Sequence, residues 1–191
     1  GSPLAYNPVA PVLVQNLPKQ INKQALLAEG IVHNPELATS VMSACGLPEG
    51  CEELMFDALL NRDINHLQQL SPYLEDIINL PNSEGFYACQ ICIMNNFTGA
   101  LPLLGKIKSF DPNLHDERTD HPLHILFNLP SINFDLFLDL MFLDNLDINE
   151  PDQKGDTPLI KAIENKNFEC FKRIAIDHRC DVNMQNASGK T

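Results

Sequence analysis

The chain has 191 residues, of which 44% are hydrophobic and 20% are charged, so it carries enough apolar surface for a folded core, and wholesale disorder is excluded. Its 13 Lys and Arg residues stand against 25 Asp and Glu residues, which gives a formal net charge of -12. Because an acidic surface repels phosphate groups, and no stretch concentrates Lys or Arg, these numbers argue against nucleic acid and anionic membranes as partners.

The first 45 residues differ from the rest, since their two basic and two acidic side chains cancel. Gly1 and Ser2 have the form of a remnant of tag cleavage. Residues 3–18 are rich in Pro and apolar residues, which predicts an extended arm. Helical patterns follow over 20–30 and after Asn34-Pro35, where Asn suits an N-cap and Pro the first turn. We therefore predict an arm and a helical cap over residues 3–45.

No apolar run is long enough to cross a bilayer, and the N-terminus lacks the residue order of a signal peptide. These features predict a soluble, cytoplasmic protein. The six cysteines are then expected to be reduced thiols rather than a disulfide framework.

A short signature recurs along the rest of the chain. An Asp two or three residues before an Asn repeats at intervals of 34, 36 and 34 residues, and a second marker follows each Asn by six positions. The recurring asparagines are Asn79, Asn113, Asn149 and Asn183, and the second markers are Gly85, Thr119, Gly155 and Gly189. A fixed period near 34 indicates a stacked repeat array. We expect the asparagines to stabilise the loops by bonds from side chain to backbone.

The residues of one repeat resemble a known family. Gly155-Asp156-Thr157-Pro158-Leu159-Ile160-Lys161-Ala162, followed by Asp181-Val182-Asn183, resembles the ankyrin repeat. A diverged copy of the family's Thr-Pro-Leu-His motif is recognisable in Asp120-His121-Pro122-Leu123-His124. The motif is lost in the equivalent segment Tyr87-Ala88-Cys89-Gln90. The resemblance covers residues 51–191. It implies an all-α solenoid of helix-turn-helix repeats with β-hairpin loops, preceded here by the helical cap.

The array is assigned to residues 46–191. Its repeats are predicted at 51–84, 85–118, 119–154 and 155–188, with a fifth beginning at 189–191. Pro122 and Pro158 suit the first turn of a helix, and Thr157 suits an N-cap. In the last full repeat, the apolar spacing predicts two inward faces, formed by Leu159, Ala162 and Ile163 and by Phe168, Phe171, Ile174 and Ala175.

The repeat at 119–154 carries two extra residues between its helices and an unusually apolar second helix. That helix includes Phe134, Leu136, Phe137, Leu138, Leu140, Met141, Phe142 and Leu143. We interpret this run as extra core under the N-terminal arm rather than as a contact site.

Residues that often carry chemistry have structural interpretations here. Cys89 and Cys92 have the spacing of a redox or zinc motif, but they fall in the inward slots of Leu159 and Ala162, and no second ligand pair completes a site. The resemblance gives His124 a hydrogen bond that ties one repeat to the next. We predict no catalytic residues, no bound metal and no cofactor, and hence no enzyme.

The resemblance further implies that partners are bound by the hairpin tips and the late first helices, on a concave face. The corresponding residues are Ser83, Glu84, Phe86, Met94, Asn95, Glu117, Arg118, Asp120, Asn128, Leu129, Gln153, Lys154, Asp156, Glu164 and Asn165. Phe86, Met94 and Leu129 are the expected apolar anchors, because an apolar side chain at a concave position has no structural purpose there.

The predicted function is that of a monomeric protein-protein interaction module whose partner presents Lys or Arg around an apolar anchor. Eleven acidic residues but only Arg118 and Lys154 fall within 111–156, so a basic partner is expected there, with salt-sensitive binding. The alternative is a non-catalytic part of a larger enzyme, or of a secreted bacterial effector that acts on host proteins in the host cytoplasm or nucleus.

Overall fold

A computed structural model of the chain describes residues 52–191. The arm and cap predicted for residues 3–45 lie outside this range. The described part contains eight α-helices, one short 3-10 helix at Ser71–Tyr73, and no strand. The α-helices are α1 (Glu52–Leu60), α2 (Ile64–Leu70), α3 (Ala88–Met94), α4 (Ala100–Leu104), α5 (Pro122–Asn128), α6 (Phe134–Met141), α7 (Pro158–Glu164) and α8 (Phe168–Ala175).

The helices form antiparallel pairs that stack in two layers. The first helices α1, α3, α5 and α7 pack in series, and the second helices α2, α4 and α6 form the neighbouring layer. The core lies between the layers, where Leu59, Leu101 and Phe137 are fully buried. One helix pair lies in each predicted repeat segment. The all-helical repeat solenoid predicted from the sequence is confirmed.

Local sequence explains where these helices begin. Thr157 Oγ1 accepts the N–H of Ile160 at 3.4 Å, so the predicted N-cap is confirmed, and Pro158 and Pro122 each occupy the first position of a helix. The second helices use Asp63, Asn133 and Asn167 as side-chain N-caps. Because short helices leave many backbone N–H groups without an internal partner, these caps matter in the first, third and fourth repeats, whereas α4 begins after Gly99 without a side-chain cap.

The third repeat is longer than its neighbours between the middle of its first helix and the start of its second. Asn133 follows Leu126 by seven positions, whereas Phe97 follows Cys92 and Asn167 follows Ala162 by five, and in both of these pairs the later N–H donates to the earlier carbonyl. Leu129 is extended (φ -69°, ψ 148°), as the residue before Pro130 prefers to be. The two-residue insertion inferred from the period is therefore confirmed.

The apolar run of α6 is mostly core. Leu136, Phe137, Leu140 and Met141 are buried. Phe142 is the exception, since 72% of it is exposed, and the prediction that the whole run is core was wrong at this position. The cause is geometric, because Phe142 follows the last residue of α6 and lies beyond the layer that the neighbouring helices cover.

The loops between repeats are tight turns in which no strand forms within 52–191. In three of them a polar side chain accepts two backbone N–H groups, and a Gly at positive φ completes the turn: Asn82 with Gly85, Asp152 with Gly155, and Asn186 with Gly189. Positive φ favours Gly because a Cβ is strained there. The turn at Asp116 replaces Gly with Thr119, whose hydroxyl accepts the N–H of Asp116 at 3.1 Å.

Two inward positions predicted in the last full repeat were wrong. Ile163 and Phe168 are exposed, whereas Leu159, Ala162 and Ile174 are buried. Ile163 lies on the side of α7 against which no further helix pair packs among the described residues. Phe168 is the first residue of α8, at the edge of its layer.

Candidate functional site

The recurring asparagines form a hydrogen-bonded ladder across the stack. The side chains of Asn79, Asn113 and Asn149 each donate an amide N–H to a carbonyl of the next repeat and accept an N–H from that repeat through their oxygen. Asn79 bonds the Ser109 carbonyl (2.7 Å) and the Asp111 N–H (3.0 Å), and Asn149 bonds the carbonyl of Arg179 and the N–H of Asp181. The predicted bonds from side chain to backbone are confirmed, but they join repeats rather than stabilising a single loop.

A second set of hydrogen bonds runs in the opposite direction. Its donors lie four residues before Asn113, Asn149 and Asn183, and each donates to the preceding repeat. The Ser109 hydroxyl donates to the Glu75 carbonyl at 2.6 Å, and the Asn145 amide donates to the Phe110 carbonyl at 2.9 Å. The Arg179 guanidinium donates to the Met141 and Leu143 carbonyls, both at 2.7 Å. Consecutive repeats are thus tied by polar bonds in both directions, which fixes their spacing.

Three histidines, His115, His121 and His124, meet between the second and third repeats. His124 Nε2 donates to the Glu150 carbonyl at 2.6 Å, and because Glu150 lies in the closing loop of the same repeat, the prediction of a bond to the next repeat was wrong. Gln90, at the equivalent position of the second repeat, does reach the next repeat, since its amide donates to Thr119 Oγ1 and to the Asp120 carbonyl. His121 Nδ1 accepts the N–H of Leu123, and Nε2 donates to the Asn113 side chain. This polar cluster joins the first helices to the asparagine ladder.

Burial and charge set the ionisation of this cluster. Burial, followed by repulsion from His124 and His115, lowers the pKa of His121 to about 3. His115 lies nearer the surface. Its partial burial lowers its pKa, but the hydrogen bonds to the Glu150 carboxylate and to backbone carbonyls raise the pKa by more, so the net shift is upward. Within 52–191, no group of three or more His, Cys, Asp or Glu side chains is arranged to hold a metal ion.

The cysteines of the described range are free thiols placed in or beside the core. Cys89 and Cys92 are buried in the slots predicted from the register. Burial raises the pKa of Cys92 to about 12 and that of Cys170 to about 11, so neither forms a thiolate near neutral pH. The interpretation of Cys89 and Cys92 as buried structural residues is confirmed.

Most of the residues predicted for partner binding are exposed. They lie at the turns between repeats or at the ends of the first helices, as their register requires: Ser83, Glu84, Met94, Glu117, Arg118, Asn128, Gln153, Lys154, Glu164 and Asn165. Phe86, Asn95, Asp120 and Leu129 are partly buried.

Several of these residues also form hydrogen bonds within the array. Asp156 is only 8% exposed, and its carboxylate accepts the amide N–H of Asn186 at 2.7 Å. Asn95 donates to the carbonyls of Leu59 and Leu60, and Asn165 donates to the Phe127 carbonyl. The prediction that Asp156 faces a partner was therefore wrong, because its carboxylate is buried against Asn186 of the fourth loop.

The expected apolar anchors differ in accessibility. Met94 is 41% exposed on α3, whereas Phe86 and Leu129 are partly buried and pack against the core. The structure adds Leu60, which sequence reasoning missed: it is 55% exposed and occupies in α1 the slot that Met94 occupies in α3. Leu60 lies 34 residues before Met94, so the repeat period could have identified it. It was missed because the first repeat lacks the ankyrin motif that marks the later repeats.

The acidic stretch is largely committed to internal bonds. Of the eleven carboxylates in residues 111–156, seven accept hydrogen bonds within the array: Asp111, Asp116, Asp139, Asp147, Glu150, Asp152 and Asp156. Glu117, Asp120, Asp135 and Asp144 complete the set. These carboxylates still carry charge, so their field persists, but fewer are free to pair with a partner's Lys or Arg.

Comparison with known protein families gives one match. Residues 143–191 match the family model described as ankyrin repeats (many copies). Neither the curated proteins nor the solved structures gave a match to this chain. None of the helices in residues 52–191 combines the length and the apolar character needed to cross a membrane.

Proposed function

We propose that this chain, whose residues 143–191 are identified as ankyrin repeats, is a protein-protein interaction module that binds its partner on the face of the first helices. Ankyrin repeats generally serve as interaction modules. What supports this particular face is the exposed pair Leu60 and Met94, in equivalent slots of neighbouring repeats, on a layer whose other large apolar side chains are mostly buried.

The geometry suits an apolar anchor. Leu60 ends α1 and Met94 ends α3, and these two helices pack against each other, so both side chains project from one continuous surface. The Asn95 amide bonds the carbonyls of Leu59 and Leu60 at 2.9 and 2.7 Å and holds the two helix ends together. A pair of apolar side chains on a rigid support is the kind of centre that carries binding energy in protein interfaces.

The nearby turns give the surface its charge. Glu84 and Glu117 are exposed at successive turn tips, and Asp120 is partly exposed at the start of the third repeat. A partner that places Lys or Arg beside an apolar side chain fits this arrangement, because opposite charge accelerates encounter while the apolar centre lengthens the lifetime of the complex. Asp156 is left out of the proposed surface because it is buried.

A peptide selection tests the proposal. Peptides from a random displayed library are selected on the full chain, and their affinity is measured by fluorescence anisotropy. The peptides that bind at this face are expected to be basic with an apolar residue at their centre, and Leu60→Glu with Met94→Glu weakens their binding by about tenfold or more. Phe168→Glu is the control, since Phe168 is 62% exposed but lies on the second-helix layer.

The outcome that contradicts the proposal is equal affinity for the wild type and the Leu60/Met94 variant. Peptides without basic residues whose binding is lost in the Leu60/Met94 variant contradict the charge part alone. Thermal unfolding of each variant separates lost binding from lost folding, and we expect a small change because Leu60 is 55% and Met94 41% exposed.

A further inference from the structure

The two most exposed large apolar side chains of the described range lie at the opposite edge of the array. Phe142 is 72% exposed and Ile176 is 79% exposed. Each follows the last residue of a second helix, α6 or α8, and each stands seven residues before a ladder asparagine. Lys106 has this register position in the second repeat. The pair is therefore specific to the third and fourth repeats.

Both side chains line one groove of about 530 Å³, together with Met141, Asp144, Arg173 and His178. A second groove, of about 420 Å³, lies on the other side of Phe142 and includes Lys106 and Lys108. Phe142 thus forms a ridge between two neighbouring grooves. We call these residues and the two grooves the second-helix edge.

The backbone under this edge is held rigidly. The N–H of Phe142 donates to Leu138, and that of Ile176 donates to Lys172, so both residues continue the geometry of their helices. The Arg179 guanidinium bonds the carbonyls on either side of Phe142, at Met141 and Leu143. Asp177 in turn accepts hydrogen bonds from Arg179 and Arg173. An apolar pair on a preorganised support loses little freedom when a partner covers it.

The charges of the edge contrast with the rest of the chain. Four cations line the two grooves, namely Lys106, Lys108, Arg173 and Arg179, against the carboxylates of Asp139, Asp144 and Asp177. Asp177 forms ion pairs with both arginines, so four cations stand against three carboxylates along the edge. Neither Lys106 nor Lys108 forms an ion pair with any residue of the described range. In a chain of net charge -12, this edge carries a surplus of cations.

We propose that the second-helix edge docks an acidic peptide segment of a partner protein, with paired apolar side chains that cover Phe142 and Ile176 and carboxylates that meet Lys106 and Lys108. This surface is distinct from the first-helix face, and it selects the opposite charge. The apolar pair supplies the centre of the contact, and the unpaired lysines supply the electrostatic preference at its rim.

The test uses two labelled peptides titrated against the full chain. Each has about 15 residues, with Leu and Phe four positions apart so that they share one helical face. The remaining positions are mostly Glu in the first peptide and mostly Lys in the second. Because the Lys peptide also suits the first-helix face, the two peptides are compared on the Leu60→Glu/Met94→Glu variant of the full chain. There we expect the Glu peptide to bind more tightly, and its affinity to fall as NaCl rises from about 50 to about 300 mM.

Variants locate the binding. Phe142→Ser with Ile176→Ser weakens the Glu peptide by about tenfold or more, whereas Phe168→Ser, equally exposed but outside both grooves, leaves it unchanged. Lys106→Glu with Lys108→Glu also weakens it, and Asp144→Asn strengthens it. The Leu60/Met94 variant keeps full affinity, so failure at one face is distinguishable from failure at the other.

Three outcomes overturn the proposal. The first is that the Glu peptide does not bind at protein concentrations up to about 1 mM, or binds the Leu60→Glu/Met94→Glu variant no better than the Lys peptide does. The second is that the Phe142/Ile176 variant retains affinity while thermal unfolding shows it folded. The third is a concentration-dependent dimer, seen by sedimentation and lost in that variant, which would assign the edge to a second copy of the chain.

Discussion

Single side chains in this protein join one repeat to the next rather than serving only their own loop. Asn113 illustrates the arrangement, because its amide donates to the Asn145 carbonyl while its oxygen accepts hydrogen bonds from the Asp147 N–H and the His121 ring. The sequence predicted bonds to the backbone from the residue type. It did not predict the partners, because they lie 32 and 34 residues away and depend on how the repeats stack.

Replacing this asparagine should therefore be costly. Asn113→Ala leaves one donor and one acceptor of the next repeat without partners and removes the acceptor for His121. We expect the free energy of unfolding to fall by about 2–4 kcal/mol, measured by urea denaturation. Asn183→Ala is the matched control: it has the same register, but its side chain makes no hydrogen bond within 52–191, so its cost should stay below about 0.5 kcal/mol. Equal losses in the two variants would show that the ladder contributes nothing.

At the scale of the helix pair, burial depends on having a neighbour on each side. Ile148 and Val182 precede successive ladder asparagines, yet Ile148 is 1% exposed and Val182 is 52% exposed. The same contrast separates Phe127, which is buried, from Ile163, which is exposed. A helix pair of this size cannot bury its apolar face alone, so equivalent residues stabilise the fold only where another pair covers them.

This difference predicts unequal mutational costs at equivalent positions. Ile148→Ala should lower the free energy of unfolding by about 2–5 kcal/mol, because it leaves a cavity in a packed interior. Val182→Ala should change it by less than about 0.5 kcal/mol, because its side chain already faces solvent. The measurement is urea denaturation of both variants, and similar losses would contradict the packing seen at the end of the described range.

The elements themselves were largely predictable. The 34-residue period, the proline at the first turn of α5 and α7, and the Thr157 cap all act locally, so they could be read without the fold. The two-residue insertion before α6 was also visible as a longer interval between asparagines. The exposure of Phe142 was not, because an apolar run does not show where the covering layer ends.

For the whole molecule, the buried histidine makes stability depend on pH. The pKa of His121 is about 3 in the folded chain and 6.5 for the free side chain, so the unfolded chain takes up a proton below pH 6.5 that the folded chain refuses. Its contribution to stability is therefore lost as the pH falls from 6.5 towards 3. His115, whose pKa is raised, acts in the opposite direction, since its contribution is present below 6.5 and lost as the pH rises through its folded value. Below the ordinary carboxyl pKa of 3.8, protonation of Asp177, whose pKa the Arg179 guanidinium holds low, adds a further loss.

The variant His121→Asn tests the histidine contribution, because Asn retains an acceptor for the Leu123 N–H but does not titrate. We expect the wild type to lose up to about 1.4 kcal/mol of unfolding free energy per pH unit between pH 6 and 4, and the variant to show a clearly smaller slope. Urea denaturation across this range provides the measurement. Parallel slopes would mean that another group controls acid sensitivity.

The structure shows how the charges behind the net charge of -12 are distributed over the molecule. Many carboxylates of residues 111–156 act as hydrogen-bond acceptors in turns and between repeats, so composition overstated how many are free to bind a basic partner. The cations are unevenly placed as well, and the second-helix edge gathers several of them. Composition could not reveal either fact, because it counts charges without their positions.

By itself, the sequence determined the repeat period, the helix pairs and the likeness to ankyrin repeats, because periodicity, caps and turn residues act over a few positions. Only the tertiary structure decided which side chains of equivalent slots are exposed. Leu60 and Met94 remain accessible, Asp156 is buried by Asn186, and Phe142 and Ile176 project from the far edge. The physical reason is that exposure and pairing depend on the neighbouring repeat, whose residues lie more than thirty positions away along the chain.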